Sequence, residues 1–519
     1  MFVMGSLVII IAFIGGMKFT ENLWAAGESV YEQISRFNYV MQLIRDHYVE
    51  EPDMNVLLEG AIDGMLASLD PHSVYISPED QQRIAEQFAG EFEGIGIRFD
   101  IQNSILTVIS PIPGTPADLL GIRSGDQIIK INDVSTFGIT NEGVFEKLRG
   151  PKGTQVDVTV RRPGMKETLD YTITRDKIPI NSVETSFMLD AETGYILLNQ
   201  FTSTTNEEIK QALENMYQNG MKQLLFDLRN NAGGYLQQAI AVLGEFIGDK
   251  QRLVYTMGRE SDSERSFFAP EEAPFYDLPL IVLVSHGSAS ASEIVAGAVQ
   301  DLDRGLVVGQ TTFGKGLVQQ GFPLGDGAVV RITTERYYTP SGRLIQRAYE
   351  DGLAEYISDA YDEEDPNEQP DSLKEVFVTS KGRNVYGGGG ITPDVKASTD
   401  YFSAYGGRLM RQRIFFEYAN EYCAEHPEIN GDFEDFLKDY QPTEEMLQGL
   451  IAKGAEHEIE YDEDGFNRDR QFLALLLKAE MAQIYWNNRV YYYRVRALND
   501  KQIQTSLNLF DQAREVAGL

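Results

Sequence analysis

A single cysteine, Cys423, in 519 residues excludes an intrachain disulfide. A lone thiol in the C-terminal part reads as buried filler rather than a nucleophile. Cysteine poverty fits a reducing or an oxidising compartment and so leaves location open. Histidine is scarce too, at five residues, and His72 has no partner at metal-ligand spacing, so it reads as structural and no metal is called for. Basic residues are in deficit, 45 Lys and Arg against 79 Asp and Glu, for a net charge of −34. So acidic a surface repels phosphates and argues against nucleic acid as a partner. A full-length apolar run is also missing. Phe2 to Met17 spans roughly 16 residues where a membrane helix needs about 20. Ala25-Ala26 suits signal cleavage but Trp24 spoils the A-x-A pattern. Residues 1–26 therefore read as a signal peptide or, preferably, an uncleaved anchor, with the body exported to the periplasm or another extracytoplasmic space.

What is present is a globular composition, 42% apolar and 24% charged, in a chain too long for one core. The most informative stretch runs from Leu280 to Gln320. Leu280 to Val284 is a continuous apolar run of strand length, the pattern of a strand buried on both faces. Gly287 permits a sharp turn, and Ser288, Ala289, Ser290, Ala291 and Ser292 are all small. From about Ser290 to Gln300, Ile294, Val295 and Ala298 recur at helical spacing. A serine thus sits at a helix N-terminus, where unpaired N–H groups can bind a developing oxyanion. A serine hydroxyl needs a base to become a nucleophile. Gly314-Lys315-Gly316 follows the next short apolar run, Leu306 to Val308, and a parallel sheet can return that lysine beside the serine turn. Phe313, Leu317 and Val318 supply the apolar surroundings that lower a lysine's pKa.

GSASASEIVAGAVQD followed by VVGQTTFGKGLVQ resembles the catalytic core of the carboxyl-terminal processing proteases, the tail-specific Ser/Lys endopeptidases. Position in that motif implies Ser290 as nucleophile, Lys315 as general base and Gln319 as its assistant. Ser288 and Ser292 remain rivals that spacing alone does not exclude. Gly309-x-x-x-x-Gly314-Lys315 nearly matches a phosphate-binding loop, but Gly316 stands where Ser or Thr would hold magnesium, and a strand pattern follows instead of a helix. A Ser/His/Asp triad through His286 is disfavoured because His286 lies within the turn itself. The G-x-S-x-G elbow is absent.

Upstream, Phe37, Val40, Met41, Ile44 and Tyr48, then Leu57, Leu58, Ile62 and Met65, recur at helical spacing, with Asp70-Pro71-His72-Ser73 as the interruption. Residues 90–178 read as a small β-rich domain. Phe92-Glu93-Gly94-Ile95-Gly96-Ile97, with PGTPADLLGIRSGDQIIKINDV after it, resembles the PDZ domain of these proteases. The resemblance implies that the N–H groups of Gly94, Ile95, Gly96 and Ile97 hold a peptide's terminal carboxylate while the peptide adds a strand. Val144 and Leu148 would line the side-chain pocket, and Arg175 would couple bound peptide to the catalytic site.

Thr204 and Thr205 with Glu207 and Glu208 suggest a capping box. DLRNNAGG, ending in Gly233 and Gly234, resembles the family's oxyanion loop, one of these glycines donating alongside Ala291. TTERYYTPSGRLIQR and the turn at Tyr386 to Asp394 match further family segments, their arginines and tyrosines as braces. Glu350 to about Ser372 is acidic and reads as a mobile surface loop.

The expected architecture is multidomain α/β: 1–26 signal segment, 27–89 helical, 90–178 PDZ, 179–398 a ClpP/crotonase-like ββα protease core, and 399–519 helical. The expected activity is a serine endopeptidase without cofactor that captures protein C-terminal tails and cleaves through an acyl-enzyme. Unfolded proteins would be its partners, with a second copy and a membrane also in view. A non-catalytic PDZ scaffold or a crotonase-like ligand carrier is the alternative.

Overall fold

The computed structural model describes residues 30–260, 262–350, 352–361, 375–399, 402–429 and 431–519. Two compact units divide the chain, one reaching residue 75 and including 330–332, the other comprising 76–329 and 333–519.

In the first unit the two helical patterns form helices over 30–47 and Met54–Ala67. Asp53 caps the second, accepting from Asn55 N at 2.9 Å. The interruption after it is a turn closed by Asp70, whose Oδ1 accepts from the N–H of His72 at 2.8 Å and of Ser73 at 2.9 Å. One expectation is corrected. Among the described residues no helix is long and apolar enough to cross a membrane, so an anchored, extracytoplasmic placement is withdrawn. The run Phe2 to Met17 on which it rested lies outside the described residues.

The second unit is organised on a six-stranded sheet in the order Val183–Met188, Thr193–Leu198, Gln223–Asp227, Leu280–Val284, Leu306–Gly309, Val395–Lys396. The first pair is antiparallel and the rest parallel. As its apolar run predicts, Leu280–Val284 is buried throughout, and its two faces meet different layers. Leu280, Val282 and Val284 pack against the helices Thr205–Gln218, Leu236–Gly244 and Ala291–Asp301. Ile281 and Leu283 pack against Ala497, Ile503, Phe510 and Ala513 of three short C-terminal helices, Arg489–Ala497, Lys501–Leu507 and Phe510–Ala517. The end of the chain therefore supplies the sheet's second covering layer. A separate helical core, from Tyr405 to Val495, precedes it and encloses Cys423. Burial pushes that thiol up to about 12, as a filler role requires.

The β-rich domain is a second six-stranded sheet around Leu106, Val108, Ile128 and Val158. Ile97–Gln102 stands at its edge. Its two connections to the protease core pair as a ribbon, Glu91–Gly94 against Asp176–Pro179.

Two local expectations fail. Thr204 makes no side-chain cap. Its hydroxyl donates to Glu208, one residue past the capping-box position, whose other oxygen accepts from Val183 N at 2.9 Å, so the hydroxyl turns to a carboxylate tied to the sheet edge rather than to an N–H of the first turn. The acidic insertion begins not as a loop but as a helix, Leu353–Tyr361, because Tyr356 is buried against Phe313 with ring centroids 5.3 Å apart. Residues 362–374 lie outside the described part.

Candidate active site

Buried strand and helix meet at the serine turn, and the three serines there have different fates. Ser288 is fully buried, its hydroxyl donating to Leu228 O at 2.7 Å. Ser292 is equally buried and donates to Asn231 O at 2.8 Å. Both hydroxyls hold the turn onto the loop after Gln223–Asp227. Ser290 is partly exposed, immediately before the helix Ala291–Asp301, with φ +56° and ψ −112°. That conformation costs a non-glycine residue on the order of 1–3 kcal/mol, and such strain concentrates at functional turns.

Lys315 comes to the same place. The strand after it, Leu317–Pro323, confirms that no phosphate-loop helix follows. Glu293, fully buried in the helix's first turn, accepts from Ser290 N at 2.8 Å and Lys315 N at 2.9 Å on the same oxygen, Oε2. Its Oε1 accepts from Thr312 Oγ1 at 2.6 Å and Gly314 N at 2.7 Å. On the carbonyl side, the Tyr337 hydroxyl lies 2.6 Å from Lys315 O and 3.1 Å from Ser290 O. One carboxylate and one phenol thus clasp two peptide units 25 positions apart. Burial pushes the Glu293 carboxyl up to about 7 against the pull of its four donors. Further bonds seat the lysine loop: Phe313 N donates to Ser288 O at 3.0 Å and Arg347 N to Gly314 O at 2.8 Å. Gly316 N donates to Gln346 Oε1 at 2.8 Å. The Gln319 carboxamide donates to Thr333 Oγ1 at 3.4 Å.

The glycine loop packs directly on the serine. A Cβ on Gly233 would stand 2.8 Å from Ser290 Cβ, and one on Gly234 would stand 2.0 Å from Phe201 O. Only glycine permits that approach. Gly233 N donates to Asn231 Oδ1 at 2.9 Å, inside its own loop. Ala291 is the helix's first residue, so its N–H lies outside the intrahelical ladder. Arg229, in the same loop, chelates Asp227 and reaches Asp500 at 2.8 Å and Gln502 at 3.0 Å, fastening the loop to the C-terminal helices.

At the far end of the serine helix, Arg343 and Asp301 form a fully buried ion pair at 2.6 Å. Gln300 Oε1 accepts from the same guanidinium at 2.7 Å, and Tyr386 O accepts at 3.0 Å. The arginines and tyrosines of 333–347 expected as braces include Arg343 in this set, together with Tyr337 at the serine turn.

In the β-rich domain, Gly94 belongs to the connecting ribbon, paired with Asp176. Ile95 is buried, its carbonyl accepting from Ala117 N at 2.9 Å. Gly96 has φ +86°, and a Cβ there would strike Thr115 Oγ1 at 2.2 Å. Ile97 opens the edge strand. Val144 and Leu148 are buried in the domain's core, so the side chain that the helix Asn141–Leu148 leaves exposed toward the edge strand is Phe145, 5.5 Å from Phe99. Arg175 donates to the carbonyls of Lys147 at 2.8 Å and Leu148 at 3.1 Å, closing the C-terminus of that helix. Glu293, Arg229, Phe99 and Phe145 escaped the sequence reading. Only Glu293 carried a local signal, the S-x-x-E spacing from Ser290.

Comparison with known proteins agrees with this arrangement. Residues 192–354 match peptidase family S41, 107–162 a PDZ domain, and 17–80 the N-terminal domain of the activating protease CtpB. Residues 405–487 match a family of unknown function. The carboxy-terminal-processing protease of Bartonella bacilliformis is 38% identical over 349 residues, 65% of this chain and 80% of its own length. The carboxy-terminal processing protease CtpA of Bacillus subtilis is 30% identical over 431 residues, 83% of this chain and 85% of its own. A chain so matched, with a strained serine at the head of a buried helix and a PDZ domain ahead of it, belongs to peptidase family S41, the carboxy-terminal processing serine proteases.

Proposed function

We propose that this protease cleaves by a Ser290–Lys315 dyad and captures its substrates by their C-terminal tails. The observation that carries the dyad is the shared Glu293 oxygen, which brings the N–H groups of Ser290 and Lys315 within 2.9 Å of one atom. The rival serines, by contrast, spend their hydroxyls on loop carbonyls.

An unfolded tail adds a strand along Ile97–Gln102, with its carboxylate at the N–H groups of Gly94 to Ile97 and its terminal side chain against Phe99 and Phe145. Lys315, as the neutral amine, takes the proton from Ser290 Oγ while that oxygen attacks the scissile carbonyl. Ala291 N–H and the glycine loop, through Gly234 or a reoriented Gly233, bind the oxyanion. The lysine returns the proton to the leaving amine, and water then hydrolyses the ester by the same route in reverse. Gln319 orients the lysine side chain.

Incubation of the full chain with an unfolded protein tests this. The wild type is expected to cut it, while Ser290→Ala and Lys315→Ala leave it whole and still bind its tail. Wild-type cutting by Lys315→Ala would refute the dyad. Tail binding without any cutting by the wild type would favour the scaffold reading instead.

A further inference from the structure

The seat of the PDZ domain is built around one carboxylate. Glu184, on the outermost strand of the protease sheet, has a side chain only 5% exposed. Arg98 of the PDZ edge strand donates to it twice, at 2.5 and 3.0 Å. Arg489 of the C-terminal domain lies 3.2 Å away, and the Tyr493 hydroxyl donates at 3.1 Å. Asn199 of the protease core donates at 2.7 Å. Three domains therefore converge on a single side chain. Burial alone would raise its carboxyl, but Arg98 and Arg489 hold it below the ordinary range.

The same edge strand makes a second contact. Asp100, two residues on and on the same face as Arg98, pairs with Arg413 of the C-terminal domain at 2.7 Å. Asn487 accepts from Ser124 N at 3.0 Å, and Asn420 Oδ1 would lie 1.8 Å from any Cβ at Gly125, so the two surfaces are closely fitted. The alternate residues Ile97, Phe99 and Ile101 pack on the PDZ core instead. The covalent connection is only the two-stranded ribbon, which by itself leaves orientation soft.

We propose that the C-terminal helical domain positions the PDZ domain. It grips the strand that receives the tail, from the face bearing Arg98 and Asp100, through Glu184 as the shared anchor. A captured tail is then presented to the catalytic turn in one orientation. Glu184, Arg489 and Arg413 are positioning residues in this account, which rests on the tail-capture reading.

The test uses the full chain and three readouts: affinity for a fluorescent tail peptide, kcat/KM on an unfolded protein with a free C-terminus, and kcat/KM on a short peptide amidated at its C-terminus. Glu184→Gln and Arg489→Met are expected to bind the tail peptide within twofold of wild type. They should lose about tenfold in kcat/KM on the tail-bearing protein, mainly through kcat because the tail is still captured but wrongly presented, and change the amidated peptide less than twofold. Arg413→Ala, at a half-exposed pair that folding does not need, should show the same selective loss at about threefold. Equal losses on both substrates, or none on either, would overturn the proposal. A wild type that fails to bind the tail peptide would sink the capture reading itself, and the proposal with it.

Discussion

The serine turn and the PDZ seat are both held by a carboxylate, and they are held differently. Glu293 is sealed inside the protease core and accepts from four donors, three of them backbone N–H groups. Glu184 sits where domains meet, and its partners are mostly long side chains, with Arg98 40% and Arg489 35% exposed. Backbone donors on strand-anchored loops have no rotamer freedom to lose, so the first clasp is rigid. Side-chain ion pairs near solvent are weaker and adjustable. Under the proposed dyad and tail capture, the chemistry is fixed in place while substrate delivery is held by contacts that can give.

Substitutions can break or sharpen that contrast. Ser290→Ala should cost the most, roughly 10⁴-fold or more in kcat, with tail affinity unchanged by fluorescence titration. Arg343→Met leaves Asp301 buried without its partner beneath the serine helix. A loss of about 3–5 kcal/mol in urea unfolding is expected, against no comparable loss for either PDZ-seat arginine. Glu293→Gln should lower kcat about 10²-fold, because an amide offers one acceptor oxygen where two N–H groups, a hydroxyl and a further N–H now converge.

The same variant carries a pH signature. A carboxyl raised from 4.5 to about 7 in the folded state binds a proton on folding between those values. Its stabilising contribution is full below pH 4.5 and lost as pH rises through about 7. Urea unfolding at pH 5 and pH 8 should therefore show Glu293→Gln gaining relative to wild type at the higher pH; an unchanged gap would mean that Glu293 does not titrate there. Smallest of all, Tyr337→Phe removes one hydroxyl shared by two carbonyls, and about a fivefold fall in kcat is expected with KM unmoved.

Much of the strand–turn–helix crossover at Ser290 was legible in the chain because its signals are local. Five consecutive apolar residues announce a strand buried on both faces, and the paired glycines mark where Gly233 must approach the serine and Gly234 the Phe201 carbonyl. The run Leu280–Val284 also demands two covering layers, but nothing in it says which elements cover which face. That the last three helices cover Ile281 and Leu283 is a long-range pairing with no spacing signature. The cap at Thr204 failed for a related reason: its hydroxyl donates to Glu208, a carboxylate that also accepts from Val183 N, distant in sequence. Val144 and Leu148 show helical spacing whether they face a groove or a core, so periodicity cannot separate those roles. Phe145, exposed between them, falls outside that periodic pair and carries no spacing signal of its own.

Labelling of the full chain with a serine-directed phosphonofluoridate, followed by peptide mapping, tests the dyad most directly. The account predicts a single adduct on Ser290 in the wild type and at least a hundredfold slower labelling in Lys315→Ala with tail binding intact. An adduct on Ser288, Ser292 or elsewhere, or undiminished labelling without the lysine, would contradict it.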